Sequence, residues 1–370
     1  MKSVNKILTI FASACFTLSS CDIDPVLTSS YPDDITWSNE TNLQLYINGF
    51  YSLIGGYYSI TDDACADLLK ANNPVANTNL FVFGSTPITS ASNLFDNWNN
   101  RHSWQLTCCR ALEGLEKHRE NFTEEVAKRA EAEFRFFRAV ANFDLAKRYG
   151  ASFILYKQLP ELGQKDHARC TPDECWDFIA EDLDFAAKNL PLKGTVEAGK
   201  LTSGAAYGMK ARAMLYAERW KDAYEANEAA ITALKAGNFG LAYESDGGTS
   251  NAKKWAQMFA TYTGADEGVF ITLYNNISPV ASQNVHKYNL WEQGIRPGNI
   301  NGSGGKTPTS ELIDLFPMAD GKKPTESEYD YHHNKFFMNR DPRFYRTFAF
   351  PGVEWQFNSG DVDFSGETMV

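Results

Sequence analysis

The 370-residue sequence predicts a mostly α protein, an α-α stack of helical hairpins followed by a loop-rich, aromatic-rich lobe with a few short strands. Three observations predict it. Between residues 123 and 237 apolar residues recur at intervals of three and four, segment after segment, with capping residues at the segment ends. Two of those segments are joined by so few residues that they fold back on each other as an antiparallel pair. From Asn238 onward the texture turns to Gly, Asn, Ser, Pro and aromatic residues, and helical order gives way to loops.

Residues 1–20 have the layout of a secretory signal peptide. Lys2 and Lys6 form a basic start, Ile7 to Leu18 an apolar stretch, and Leu18-Ser19-Ser20 leads into Cys21. The apolar stretch is shorter than the roughly 20 residues a spanning helix needs. Leu-Ser-Ser-Cys resembles the bacterial lipobox, which implies cleavage before Cys21 and acylation of that cysteine, each buried methylene contributing about 0.8 kcal/mol to membrane anchoring. Residues 21–34 then read as the lipidated cysteine and an extended tether, Val26 to Asp34 being rich in Pro, Ser, Thr and Asp with no helical or strand period.

The helical body is expected over residues 35–237. Glu40 to Leu53 carries Leu43, Tyr46, Ile47, Phe50 and Leu53 on one face, and a second helix is expected around Trp104 to His118. Thr123-Glu124-Glu125 opens a helix to Tyr149 with a stripe of Val126, Ala130, Phe134, Phe137, Ala141 and Leu145, and Gly150 stops it. Glu124, Glu125, Glu131 and Glu133 are placed on its solvated face. Thr171-Pro172-Asp173-Glu174 is a capping box, followed by the stripe Cys175, Phe178, Ile179, Leu183, Ala186 and Leu190 and ended by Pro191. Thr202 to Glu218 and Lys221 to Lys235 are expected to form the hairpin, linked by Arg219 and Trp220. Ala211, Ala223 and Ala230 stand at the offsets where tetratricopeptide repeats place small residues so that two helices pack closely. Phe134, Phe137, Phe178 and Tyr216 fall on these stripes and are assigned to the core. Residues 238–370 form the loop-rich lobe, with one strand at Gly268 to Tyr274 and a loop over Gly298 to Lys306.

A formal charge of -11, with no Lys/Arg-rich run, argues against nucleic acid as a partner. Without Cys15 and Cys21 there remain Cys65, Cys108, Cys109, Cys170 and Cys175, an odd number. Cys170 and Cys175 lack zinc spacing, so buried thiols or one incidental disulfide are expected rather than a metal site. No His-Glu-x-x-His, Gly-x-Ser-x-Gly, phosphate loop or calcium loop is present, and neither a cofactor nor a catalytic residue is expected. His332-His333 reads as a solvated loop pair. With 46 carboxylates in the chain, a glycosidase pair cannot be picked out without knowing a separation.

Several segments resemble the SusD/RagB family of Bacteroidetes outer-membrane nutrient-binding lipoproteins. They include Ala130-Glu131-Ala132-Glu133-Phe134-Arg135-Phe136-Phe137-Arg138-Ala139 with Phe143-Asp144-Leu145 and Arg148-Tyr149-Gly150, and then Ile179-Ala180-Glu181-Asp182-Leu183. Gly199-Lys200-Leu201-Thr202, Lys210-Ala211-Arg212-Ala213 and Arg219-Trp220-Lys221-Asp222-Ala223 follow, with Asp320-Gly321-Lys322, Asn339-Arg340-Asp341-Pro342-Arg343 and Pro351-Gly352 late in the chain. The resemblance implies tetratricopeptide-like hairpins under a loop-rich lobe, and no catalysis. It further implies a lipid-anchored, outward-facing outer-membrane protein that passes glycans or other nutrient oligomers to a SusC-like TonB-dependent transporter. Asp22 and Asp24 resemble the signal for that outer face. Two departures stand out. Cys or Arg occupies the place in Leu106 to Glu113 where the family usually has Asn, and the family usually continues well past the Pro-Gly-x-x-Trp region, so the 238–370 lobe is expected to be incomplete.

Sugars present apolar C–H faces and hydroxyl edges, so sites pair flat aromatics with Asn, Asp or Arg. Asn97-Trp98-Asn99-Asn100-Arg101 with Trp104 offers that combination in what reads as a polar loop, making Trp98, Asn100, Arg101 and Trp104 candidate ligand residues. Tyr288, Trp291 and Arg296 form a second cluster, and Trp98 and Trp291 are expected to converge on one patch. The family's aromatic platform varies in position, so no residue is carried over from it. Two further readings stand beside glycan capture: a helical-repeat scaffold binding only protein, and a lipoprotein glycoside hydrolase.

Overall fold

The computed structural model describes residues 33–55, 67–71, 97–164, 166–241, 266–274, 285–286 and 306–352, with a few single positions between 252 and 258. The signal peptide, Cys21, most of the tether, Cys65, Tyr288, Trp291, Arg296 and most of the Gly298–Lys306 loop lie outside the described residues.

The described chain opens with a helical turn, α1 (Asp33–Thr36), so the last two residues of the expected tether are helical. Next comes α2 (Glu40–Phe50), capped by the Asn39 side chain accepting from Asn42 N–H, and a short α3 (Ser52–Gly55). Leu43, Ile47, Phe50 and Leu53 are buried as expected, Leu53 on the separate α3.

Five long helices form the body: α4 (Trp98–Lys117), α5 (Glu124–Tyr149), α6 (Pro172–Asn189) and the pair α7 (Ser203–Tyr216) and α8 (Trp220–Ala236). Three of these starts are set by capping chemistry legible in the chain. Thr123 accepts from Val126 N–H, Thr202 accepts from Ala205 N–H, and Thr171 with Glu174 makes both halves of the capping box. Gly150 closes α5 at a φ of +86°, a conformation glycine adopts without strain. Neighbours in sequence pack as neighbours in space, α4 on α5, α5 on α6, α6 on α7 and α7 on α8, the arrangement of a hairpin stack.

Four expectations are corrected here. First, α4 starts at Trp98 rather than near Trp104, so Trp98 to Arg101 form a helical turn and not a loop. Second, the α7–α8 link is Ala217 to Arg219, with Glu218 at a φ of +59° making the reversal. Third, α5 is no half-solvated helix. From Ala132 to Ala146 it is buried on nearly every side, because α2, α4, α6 and α7 all pack on it, and Glu133 with 2% exposure lies inside rather than on a solvated face. Fourth, Tyr216 is 56% exposed although its ring meets Phe143 edge-on at 5.2 Å. Of the three spaced alanines, Ala223 and Ala230 are buried and Ala211 is half-buried.

The interior centres on α5. Phe134, Phe137, Phe143 and Leu145 are fully buried, each contributing about 1.5–3 kcal/mol by leaving water. Phe50 of α2 sits 4.9 Å from Phe134 and 5.6 Å from Trp104, joining α2, α4 and α5 in one aromatic cluster. Tyr51 donates its hydroxyl hydrogen to Glu133 at 2.8 Å and accepts from Leu201 N–H at 2.9 Å, which ties the start of the α7 hairpin to α5.

The strands are short: β1 (Leu69–Ala71), β2 (Leu273–Tyr274), β3 (Val285–His286) and β4 (Lys306–Pro308). β2 pairs parallel with β3, and β1 pairs antiparallel with β4, Leu69 opposite Pro308. The strand expected over Gly268 to Tyr274 is confined to its last two residues. Two short helices that the sequence reading did not foresee follow, α9 (Ser310–Leu315) and α10 (Pro342–Thr347). Arg340, 2% exposed, holds them together by donating to the carbonyls of Ile313, Phe316 and Phe336, while Asn339 takes a φ of +54° and Asp341 caps α10. The Asn339-Arg340-Asp341-Pro342 segment is thus a structural knot, and the pairing of a buried guanidinium with backbone carbonyls explains its composition.

Candidate functional site

The first turn of α4 and the end of α5 meet at one end of the helical stack. Trp98 stands half-buried between the Tyr149 ring, edge-on at 5.0 Å, and the His102 ring at 4.5 Å. Asn97 donates its N–H to the Tyr149 hydroxyl at 2.9 Å, which fixes the helix start against α5. One turn on, Arg101 reaches back to Asp144, Nε to Oδ2 at 2.8 Å, and Asp144 also meets Lys147 at 2.8 Å. Asp144 is 1% exposed, so its charge is compensated by these two cations rather than by water. Arg101 also donates to the Asn100 side-chain oxygen at 3.0 Å, holding that exposed amide at the rim.

Aromatic rings continue the wall below. His102 faces Phe153 at 5.9 Å and Tyr156 at 6.2 Å, and Tyr156 faces His167 at 5.3 Å. Burial lowers the His102 pKa, which keeps its imidazole neutral at pH 7. Gln105 and Asn142 lie fully buried beneath, Gln105 accepting from Tyr156 N–H at 3.1 Å. Both amide atoms of Asn142 find no hydrogen-bond partner among the described residues. The result is a half-buried set of aromatic edges around Trp98 with the Asn100 amide at its rim, held from beneath by the Arg101–Asp144 ion pair, able to stack on an apolar face and to donate and accept hydrogen bonds through that amide.

Among the sequence-predicted residues, Trp98, Asn100 and Arg101 come together here. Trp104 does not join them at the rim: one and a half turns further along α4, it packs on Phe50 in the aromatic core. Sequence reasoning missed His102, Asp144, Tyr149 and Tyr156. His102 could have been found from the spacing Trp98-x-x-x-His102, one helical turn, once the helix start was known, whereas Tyr149 reaches Trp98 only through the packing of α5 on α4.

Two clefts are formed by described residues. One, of about 290 Å³, lies between the Lys193–Thr202 segment and Gly268 to Ile271, with Asn238 and Asp266 at its edge. The other, of about 210 Å³, is lined by Arg119, Arg135, Arg138, Lys157, Glu116 and Glu131. No group of His, Cys, Asp or Glu among the described residues is placed to hold a metal ion. No described helix is long and apolar enough to cross a membrane.

Comparison with known families decides the relationship. The family described as starch-binding associating with outer membrane matches residues 25–215, more than half of the chain, and the SusD family matches residues 255–369. The chain belongs to the SusD/RagB family. The fold of a SusD-like protein from Bacteroides fragilis superposes with a TM-score of 0.66 at 24% identity, over 85% of this chain and 61% of that one. A SusD-like carbohydrate-binding protein from the same organism gives 0.64 at 18% identity, over 84% and 59%. A surface glycan-binding protein A from Bacteroides fluxus gives 0.56 at 17%, over 75% and 61%. At these identities the likeness is one of fold, and this SusD-like chain spans about three fifths of the length of those relatives. No curated protein matches the sequence.

Proposed function

We propose that this chain is a cell-surface lipoprotein that captures glycans and delivers them to a SusC-like TonB-dependent outer-membrane transporter. The observation that carries the reading is family membership through a family described as starch-binding and associating with the outer membrane. The names of two fold relatives, a carbohydrate-binding protein and a surface glycan-binding protein, point the same way. In this reading Cys21 carries the lipid, residues 35–237 form the scaffold, and the 238–370 lobe completes the ligand face. Trp98 stacks on a sugar ring while Asn100 and Arg101 hydrogen-bond its hydroxyls, and Tyr288, Trp291 and Arg296 supply a second cluster. The protein acts by binding and orientation, not by turnover.

The test is retardation of the chain from Asp22 onward in gels cast with plant, host and microbial polysaccharides, with Trp98→Ala and Trp291→Ala alongside. Retardation abolished by these changes supports the reading and the site. A folded chain retarded by no polysaccharide sinks it, and favours a protein-only scaffold. That second reading has its own support in the outer face of α8, where Trp220 is 62% and Tyr224 66% exposed one turn apart, with Ile231 further along.

A further inference from the structure

Thr171 is the N-cap of α6, so Cys170 stands at the position before the cap and Cys175 at the fourth residue of the helix. Those are the two positions whose side chains pack on each other as a staple across a helix start. Here both positions are held by cysteines, and burial together with the neighbouring Cys170 pushes the Cys175 thiol up. Both are held in place. Cys170 donates its N–H to Phe153 O at 2.9 Å, its carbonyl accepts from Ser152 Oγ at 2.9 Å, and its thiol points to Ala151 O at 3.8 Å. Cys175 is fully buried against the α5 core, whereas Cys170 is partly exposed. An oxidant therefore reaches Cys170 first, and Cys175 is positioned to resolve it.

We propose that Cys170 and Cys175 close into a disulfide in the exported protein, sealing the start of α6. The Cys170 thiolate attacks a disulfide of a protein dithiol oxidant, forming a mixed disulfide and releasing one thiolate. The Cys175 thiol gives up its proton and attacks the Cys170 sulfur, the Cys170–Cys175 bond forms, and the oxidant departs as a dithiol carrying the two electrons and two protons. The adjacent Cys108 and Cys109 stay reduced: both are buried, Cys109 donating to Tyr156 O at 3.3 Å. The inference rests on the exported location put forward above, because such bonds persist in oxidising compartments and not in the cytosol.

The experiment has two arms. In the first, the full chain with its own leader is expressed in a bacterial host, the envelope and cytosolic fractions are separated, and each is alkylated under denaturing conditions without reduction before peptide mass analysis. Envelope protein with Cys108 and Cys109 alkylated, and with Cys170 and Cys175 unlabelled and linked at a mass lower by about 2 Da, is the expected result. Envelope protein alkylated at both Cys170 and Cys175 overturns the proposal. In the second arm, the purified full chain is treated with excess oxidised glutathione. Formation of the internal bond, with a stable glutathione adduct on Cys170 in Cys175→Ser, supports the proposal even if the first arm finds the protein only in the cytosol, which would count against export alone. A stable adduct on Cys170 with Cys175 still present, or no reaction at either, overturns it.

Discussion

Arg138 of α5 places Nε and Nη2 each 2.8 Å from one oxygen of the Asp182 carboxylate on α6, a bidentate bridge in which both side chains are almost wholly out of water. Arg138 also donates to Lys157 O at 2.9 Å and lies over the Phe178 ring at 4.6 Å. Burial pushes the Asp182 carboxyl up while the guanidinium beside it opposes that shift. Removing Arg138 leaves the buried Asp182 only the more distant Arg135, Nη1 to Oδ1 at 3.6 Å, so Arg138→Ala is expected to lose about 3 kcal/mol, whereas replacing both Arg138 and Asp182 by apolar residues of matched volume recovers most of it. Urea unfolding of the single and double variants checks this. Equal losses in the two would show that the bridge is not the source.

The pH dependence of stability follows from Glu133. Burial raises its pKa, against the Tyr51 hydroxyl, Arg129 and Lys200. A raised folded-state value means the folded chain holds the proton more tightly. Its contribution is therefore complete below the unfolded value of about 4.3 and is lost as pH rises through the folded value. Glu133→Gln keeps an oxygen for Tyr51 and removes that loss. Stability measured from pH 4 to 8 should converge with the unmodified chain at the acid end and exceed it at the upper end. Parallel profiles would refute the assignment.

Gly114 of α4 lies against the buried Trp37 indole, and a methyl group there would come within 2.3 Å of Trp37 Cζ2. Gly114→Ala improves helix propensity yet forces the ring to move. A net loss of about 1–3 kcal/mol is expected from overpacking, together with an altered near-ultraviolet circular dichroism band. A stabilised variant with an unchanged band would contradict it.

Asn100 and Trp104 separate binding from folding. Asn100 is exposed at the rim, so Asn100→Ala should leave the melting temperature within the range of surface changes, about 0.5 kcal/mol, and weaken polysaccharide retardation. Trp104 packs on Phe50, so Trp104→Ala should cost about 3 kcal/mol or more of stability. If Asn100→Ala retards like the parent chain on the same gels, its place in the site is wrong.

Much of the helical body was legible because its starts are written in short-range chemistry. Thr123, Thr171 with Glu174, and Thr202 each announced a helix that the structure contains. What a single periodicity could not reveal was how many neighbours one helix has. An amphipathic pattern was read into α5, but Glu133, Arg138 and Asp144 are buried there because each finds a partner on another element, and such pairings are invisible along the chain. The start of α4 was missed for a local reason: Asn97-Trp98-Asn99-Asn100 carries weak helix formers, and the Asn97 backbone is satisfied by Tyr149 from α5 instead of by a cap. The candidate site was half legible, since Trp98, Asn100 and Arg101 were named from composition, while His102, Asp144, Tyr149 and Tyr156 arrive from the fold.

The pairing of β1 with β4 has a consequence for how the chain assembles. The helical stack is built of contacts between sequence neighbours, which form quickly and in order as the polypeptide lengthens. Lys70 and Thr307, by contrast, meet across a separation of 237 residues. Closing so long a loop is entropically expensive until the intervening helices have already condensed and shortened it. The small β1–β4 ribbon is therefore the last part of the described structure to form and the first to open, and amide hydrogen exchange would register it as the shortest-lived protection outside the chain ends.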